Sequence, residues 1–181
     1  MTDEAERLYE RLLVLRCQTG DEDAYRELVG RFGPRLKYFL HRLIDTPGDA
    51  DDLAQEVWLD VLRQLPRLAE AGAFTSWLYR IAHGKAMLYL RQIGRFPTTT
   101  DEVGEIAEPD VGSFSADDAA SIHVALDDLE PVQREALVLR FLEGLTYEQI
   151  SQIVECPVGT VRSRIHYAKA HLRRILERES K

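Results

Sequence analysis

The chain of 181 residues carries 23 Lys and Arg against 31 Asp and Glu, a net charge of −8, and two cysteines. Single cysteines at positions 17 and 156 exclude a disulfide framework and a cysteine-based zinc site. The longest stretch free of Asp, Glu, Lys and Arg, Ala71 to Tyr79, is nine residues, about half of the twenty or so that a membrane span needs. No membrane insertion and no secretion signal are expected, which points to a soluble protein of the reducing cytoplasm. The acidic total speaks, at first, against nucleic acid as a partner.

A short leading helix is expected around Leu8, Leu12 and Leu15. From Tyr25 the apolar residues Leu28, Val29, Phe32, Leu36, Phe39, Leu40 and Leu43 follow a 3.6-residue stripe, with a bend expected at Gly33-Pro34. Thr46-Pro47-Gly48 breaks it. A further helix starts near Asp49, with Leu53, Ala54, Val57, Val61, Leu62 and Leu65 turned inward. Pro66 to Thr75 reads as a loop. The helix after it has Trp77, Leu78, Ile81, Ala82, Leu88 and Tyr89 as its apolar positions. No alternating run is long enough to make a strand. The N-terminal domain, residues 1–92, is therefore expected to be all helical. Residues 93–120, with their glycines, prolines and threonines, read as a flexible acidic linker.

The third part, 121–181, starts a helix at Asp127-Asp128-Leu129-Glu130-Pro131. Leu137, Val138, Phe141 and Leu142 give it an apolar face that Gly144 stops. Thr146 is placed to cap the next helix, with Ile150, Ile153 and Val154 inward, and Cys156-Pro157 turns the chain. The last helix sets Val161, Ile165, Ala168, Leu172 and Ile175 on one face and Arg162, His166, Lys169 and Arg173 on another. A short capped helix, a tight turn and a longer helix with a basic stripe form a helix-turn-helix pattern. The fold class is all-α: two small helical domains joined by the acidic linker.

Counted by segment, the charge changes meaning. Residues 1–60 hold eight basic and fourteen acidic side chains, 61–95 six and one, 96–120 none and seven, and 121–181 nine of each. Within 157–176 there are five basic residues and no acidic one. Two basic segments can thus meet a phosphate backbone while the rest of the chain repels it.

Three constellations stand out. In the last helix, side chains from Thr160 to Tyr167 would face base edges of a major groove, with Arg162 suited to guanine and Ser163 and His166 to shorter contacts. Lys169, Arg173 and Arg174 suit phosphates. The alternative, a merely solvated cationic face, is disfavoured by the capped helix and turn that precede it. In the second constellation, Asp49, Asp52, Glu56 and Asp60 are spaced three, four and four residues apart, with Asp51 beside them. They fit a helix-dipole role, a docking face for a basic protein surface, or a metal site, though no calcium-loop or Glu-x-x-His pattern completes the last. In the third, Arg80, His83, Lys85 and Arg91 are interleaved with Trp77, Tyr79 and Tyr89, an arrangement suited to melted nucleic acid if the aromatics are not core. No nucleotide-binding, hydrolase or metalloprotease pattern is present, and the five histidines are scattered. No enzymatic activity, cofactor or metal is expected.

At this point the chain, from about Gly20 to Arg174, resembles a bacterial sigma factor of the extracytoplasmic-function (ECF) type. Asp49-Ala50-Asp51-Asp52-Leu53-Ala54-Gln55-Glu56-Val57-Trp58 is similar to the acidic helix that such proteins dock on the clamp of the largest subunit of core RNA polymerase. This resemblance implies polymerase-binding roles for Asp49, Asp51, Asp52, Gln55 and Glu56. Trp77-Leu78-Tyr79-Arg80-Ile81-Ala82 is similar to the start of the helix that opens and reads the downstream (minus ten) promoter element. Arg80, His83, Gly84, Lys85 and Arg91 would then face that DNA, and the Pro66 to Thr75 loop would capture a flipped base. Cys156 to Ile165 is similar to the recognition helix for the upstream (minus thirty-five) element, implying Thr160, Arg162, Ser163, His166, Tyr167 and Lys169 as its contacts. The linker resembles the segment that threads through the polymerase. The implied partners are core polymerase, including the flap of its second-largest subunit, promoter DNA and an anti-sigma protein or other inhibitor. The family commonly has Asn and Asp where this chain has Gly84 and Leu88, and Arg where it has Tyr167. Two rivals remain: a stand-alone helix-turn-helix regulator, and an adaptor that holds polymerase without reading promoters.

Overall fold

The computed structural model describes residues 3–95 and 126–179, and the chain divides into two compact units, Met1–Phe96 and Pro97–Lys181. Every regular element among the described residues is helical. Most of the expected linker, from residue 96 on, and the expected start of the C-terminal domain at 121 lie outside the described residues.

In the first unit, α1 (Asp3–Gln18) ends at Gly20, whose φ of +86° is a conformation that costs glycine little. Asp21 then caps α2 (Glu22–Leu43), accepting from the Ala24 N–H at 3.0 Å and from Arg16 Nη2 at 2.7 Å. Those bonds hold its carboxyl below the ordinary range. Helix α2 runs unbroken through Gly33 and Pro34 and buries Leu28, Phe32, Leu36, Phe39, Leu40 and Leu43, as its stripe predicts. Pro47 sits in the first turn of α3 (Pro47–Gln64), where its missing N–H costs nothing. Two 3₁₀ turns, Leu65–Arg67 and Ala71–Ala73, occupy the expected loop and lead into α4 (Phe74–Gln92). Edge-to-face pairs join α2 to α4: Phe32 with Phe74 and Phe39 with Tyr79, each at 5.0 Å between ring centroids. Pairs of this kind add about 0.5–1.5 kcal/mol beyond their burial.

Three apolar rows are placed here, and one inward assignment, Leu62, is corrected. Helix α1 buries Leu13 and Val14 and exposes Leu8, Leu12 and Leu15. The reason lies in Tyr9, whose hydroxyl donates to Glu27 Oε1 at 2.9 Å while Arg31 lies 4.7 Å from its ring centroid, so the helix docks on α2 by its Tyr9–Leu13 side. Leu62 is 53% exposed, because Ala50, Leu53, Ala54, Val57 and Val61 already fill the buried arc of α3. Leu88 is 57% exposed, because the buried row of α4 runs through Phe74, Leu78, Ala82, Ala86 and Leu90 at four-residue steps.

In the second unit, α5 (Pro131–Leu137) widens into a π-helical turn, Val138–Leu142. Leu137, Val138 and Leu139 are buried there, whereas Phe141 and Leu142, expected inside, are exposed. Gly144, at φ +67°, ends the segment. Thr146 and Gln149 then form a reciprocal cap on α6 (Tyr147–Ile153): the Thr146 hydroxyl accepts from the Gln149 N–H at 3.2 Å, and Gln149 Oε1 accepts from the Thr146 N–H at 2.9 Å. The chain turns through Glu155, a non-glycine residue at φ +51°, with Ser151 Oγ donating to the Cys156 carbonyl at 2.6 Å. Helix α7 (Val158–Glu179) follows, and α5 and α6 both pack on it around Ile150, Ile153, Val161, Ile165, Ala168 and Leu172. Elements α6 and α7 are the helix-turn-helix expected from the sequence.

Candidate functional site

The carboxylates of α3 divide among three directions. Asp51 faces α2, 3.1 Å from Lys37 Nζ and 3.3 Å from His41 Nε2. Hydrogen bonds from Lys37 and then His41 hold its carboxyl below the ordinary range. Asp49, Glu56 and Asp60 face α4. Tyr89 donates its hydroxyl to Asp49 Oδ2 at 2.5 Å, and Lys85 Nζ lies 3.2 Å from Glu56 Oε2 and 2.9 Å from Asp60 Oδ2. Burial alone would lower the Lys85 ammonium, but hydrogen bonds to Asp60 and Glu56 outweigh it and hold the group above the ordinary lysine value. Asp52 and Gln55 are exposed, and so is Glu56 despite its contact with Lys85.

The single acidic row of the sequence is therefore two features. One is a set of carboxylates spent on holding α2 and α4; the other is an outward stripe. That stripe continues along α3 from Asp52, Gln55 and Glu56 to Leu59 and Leu62, both exposed. Leu59 was not legible as a surface residue, and Leu62 was read inward. Among the described residues no group of His, Cys, Asp and Glu is arranged to hold a metal ion, and no helix is long and apolar enough to cross a membrane.

On α4, Arg80, Gly84 and Arg91 are exposed and His83 is half-buried. Gly84 has open space where a side chain would begin. Tyr79 is fully buried in the core, while Trp77 and Tyr89 are half-buried. Of the three aromatics, Tyr79 is excluded from stacking on bases.

On α7, Arg162 and Tyr167 are exposed and His166 and Lys169 half-buried. Arg162 lies 5.8 Å from the Tyr147 ring centroid, on α6, and Lys169 4.8 Å from that of Phe141. His166 and Tyr167 touch edge to face at 5.6 Å. Thr160 and Ser163, expected at base edges, are each only 5% exposed. Ser163 Oγ donates back to the Gly159 carbonyl at 3.1 Å. Their side of the helix is covered within the unit, which leaves Arg162, His166, Tyr167 and Lys169 as the accessible members of the expected set.

One unit thus carries an acidic-to-apolar stripe and a cationic helix, and the other a helix-turn-helix, the motif of DNA-binding proteins. Residues 28–96 match Sigma-70 region 2, and residues 119–172 match Sigma-70, region 4. The chain is 38% identical over 178 residues to the ECF RNA polymerase sigma-E factor of Haemophilus influenzae, covering 91% of this chain and 94% of that protein. It is 36% identical over 178 residues to the sigma-E factor of Escherichia coli strain K12, covering 91% and 93%. Among solved structures it is similar to the sigma factor RpoE of Bartonella quintana, in complex with the anti-sigma factor NepR. The TM-score there is 0.63 at 25% identity, over 84% of this chain and 96% of that one. CnrH, solved with the cytosolic domain of CnrY, shares the fold with a TM-score of 0.63 at 23% identity, over 93% and 97%. The chain belongs to the ECF RNA polymerase sigma factors. It acts in transcription initiation, binding core RNA polymerase and directing it to promoter DNA.

Proposed function

We propose that the outward stripe of α3 is the surface that docks on the clamp of core polymerase, with Asp52, Gln55 and Glu56 meeting basic groups and Leu59 and Leu62 meeting an apolar patch beside them. In this reading Asp49 and Asp51 act from behind, fixing α3 against α4 and α2. The outer side of α4, with Arg80, His83, Lys85 and Arg91 flanking Gly84, takes the downstream element, and the Pro66–Thr75 loop receives a flipped base. Helix α7 reads the upstream element through Arg162, His166 and Tyr167, with Lys169 on a phosphate. The second unit sits at the flap of the second-largest subunit, and the 93–120 segment is the tether between the two domains. The protein has no catalysis of its own and works in the cytoplasm beside its polymerase. An anti-sigma protein, as seen with the Bartonella quintana factor, holds it until it is needed.

The observation that carries this reading is the stripe itself: acidic residues and leucines exposed together on one face of α3. A stand-alone DNA regulator has no use for such a face, and exposed leucines beside charge are what a protein partner covers. Reconstitution with core polymerase and run-off transcription from a genomic library tests it. Defined start sites that appear only when both components are present support the reading. Core binding without initiation would leave the adaptor, and tight duplex binding without core the regulator.

A further inference from the structure

Helix α1 lies outside every surface assigned above, yet it grips the loop between α3 and α4 at two points. Gln18 Nε2 donates to the Leu65 carbonyl at 3.0 Å and to the Leu68 carbonyl at 2.7 Å. These two carbonyls bracket the first 3₁₀ turn, which the Leu68 N–H closes on the Leu65 carbonyl at 3.1 Å. One side-chain amide, with two hydrogens to give, thus satisfies both. At the second turn the Arg11 guanidinium lies against Gly72, so close that a Cβ there would come within 2.8 Å of its Nε. Ser76 Oγ fixes the exit of the loop by donating to the Ala73 carbonyl at 3.0 Å. Between the grips, Ala69 and Glu70 stand exposed at the tip.

We infer that α1 sets the shape of this loop, and that Gln18 is a positioning residue for the base the loop receives. The inference rests on the reading of Pro66–Thr75 as the base-capturing loop. A site that must accept one unstacked base needs its backbone held to within about half an ångström, which a surface loop achieves only when its polar groups are tied down. The tie here comes from one side chain, Gln18, which stands 47 and 50 positions away in sequence from the two carbonyls. It fixes the entry turn without occupying the tip. Glycine at 72 belongs to the same arrangement, since any side chain there would push Arg11 off the second turn.

The test uses holoenzyme reconstituted from core polymerase and full-length chain, on the strongest promoter recovered from the genomic library. Four templates differ only in the non-template base assigned to the loop, and the readout is the ratio of open-complex yield between the best and worst base. Gln18→Ala is expected to compress that ratio at least fivefold while core affinity stays within twofold. Arg11→Ala, an exposed change that keeps the test open should Gln18→Ala misfold, is expected to compress it about twofold. A simple loss of folded protein would lower all four yields alike and leave the ratio intact. A tip variant, Ala69→Gly with Glu70→Gly, separates the two ideas. If it changes the ratio and neither α1 variant does, the role of α1 is overturned. If the tip variant changes nothing either, the base-capture reading itself fails, and the inference with it.

Discussion

Lys85 on α4 sits between two carboxylates of α3, 2.9 Å from Asp60 and 3.2 Å from Glu56, whereas Lys169 on α7 lies 4.8 Å from the ring centroid of Phe141. Arg162 likewise rests near a ring, that of Tyr147. Helices α4 and α7 thus surround these cations differently, with carboxylates beside Lys85 and rings beside Lys169 and Arg162. When Lys85 turns to a phosphate, Glu56 and Asp60 must be left behind and resolvated, and the cations they then attract offset those released from the DNA. A ring orients a cation without cancelling its charge, and is worth only about 0.5–1 kcal/mol at an exposed site. Arg162 also lies near Glu148, whose carboxyl is held below the ordinary range by its own backbone N–H first and by Arg162 among others, so the second unit too shares part of its charge with its own residues. The first unit commits Lys85 to direct ion pairs with two carboxylates of α3.

The largest effect is expected from breaking α3 itself. Combined Asp52→Lys and Glu56→Lys should weaken core binding by about 3 kcal/mol, on the order of a hundredfold, because like charge is set against a basic surface. Titration of labelled core measures it, and unchanged affinity would remove the docking face. Next, Arg162→Ala should cost about 1–3 kcal/mol at the upstream element if the arginine makes a bidentate contact to guanine. Competition between intact and base-substituted elements reads that out, and an unchanged preference would take Arg162 out of the recognition set. The ion pairs of Lys85 are read out by salt. Lys85→Ala should lower the slope of log affinity against log salt by clearly less than the value of about 1 that one full phosphate contact contributes, in holoenzyme bound to promoter. A change of about 1 would mean that Glu56 and Asp60 do not hold that charge back. The smallest effect is in stability: Gly84→Ala should stabilise the first unit by roughly 0.5–1 kcal/mol, since a Cβ there meets nothing within 4 Å. Thermal unfolding decides it, and a loss would mean that the open space serves some contact of the backbone.

Much of the fold was legible because its signals are local. The stripe of α2, the Thr146 cap, the stop at Gly144 and the Val161–Leu172 face each depend on residues within a turn or two of one another, and each is found where periodicity or capping chemistry places it. What failed were choices between two apolar arcs. Leu8, Leu12 and Leu15 form a regular row, but so do Tyr9 and Leu13, and only the tertiary bond from Tyr9 to Glu27 selects the second. On α4 the alanines won the inward row from Leu88, because small side chains let helices approach. On α7, the row of Arg162, His166 and Lys169 could be read from spacing, and the structure leaves those side chains exposed or half-buried. The burial of Thr160 and Ser163 could not, since it depends on what packs against α7. The bond from Lys85 to Glu56 spans 29 residues, and that from Gln18 to Leu68 spans 50. No periodicity reports pairings of that kind.

Glu155 joins α6 to α7 in the left-handed region, at φ +51°. For a residue with a Cβ that conformation costs about 1–3 kcal/mol and persists only where the surroundings insist on it. The turn therefore sets the direction in which α7 leaves α6, a direction that the packing of α5 and α6 on α7 also holds. At 1.5 Å per residue, Arg162 lies about 6 Å along α7 from its start at Val158 and Lys169 about 16 Å, so an angular error of roughly 10° at that start would displace the first by about 1 Å and the second by about 3 Å. Under the proposed reading, the side chain that seeks one base edge stands where misalignment would move it least, and the lysine assigned to a diffuse phosphate charge stands where it would move most.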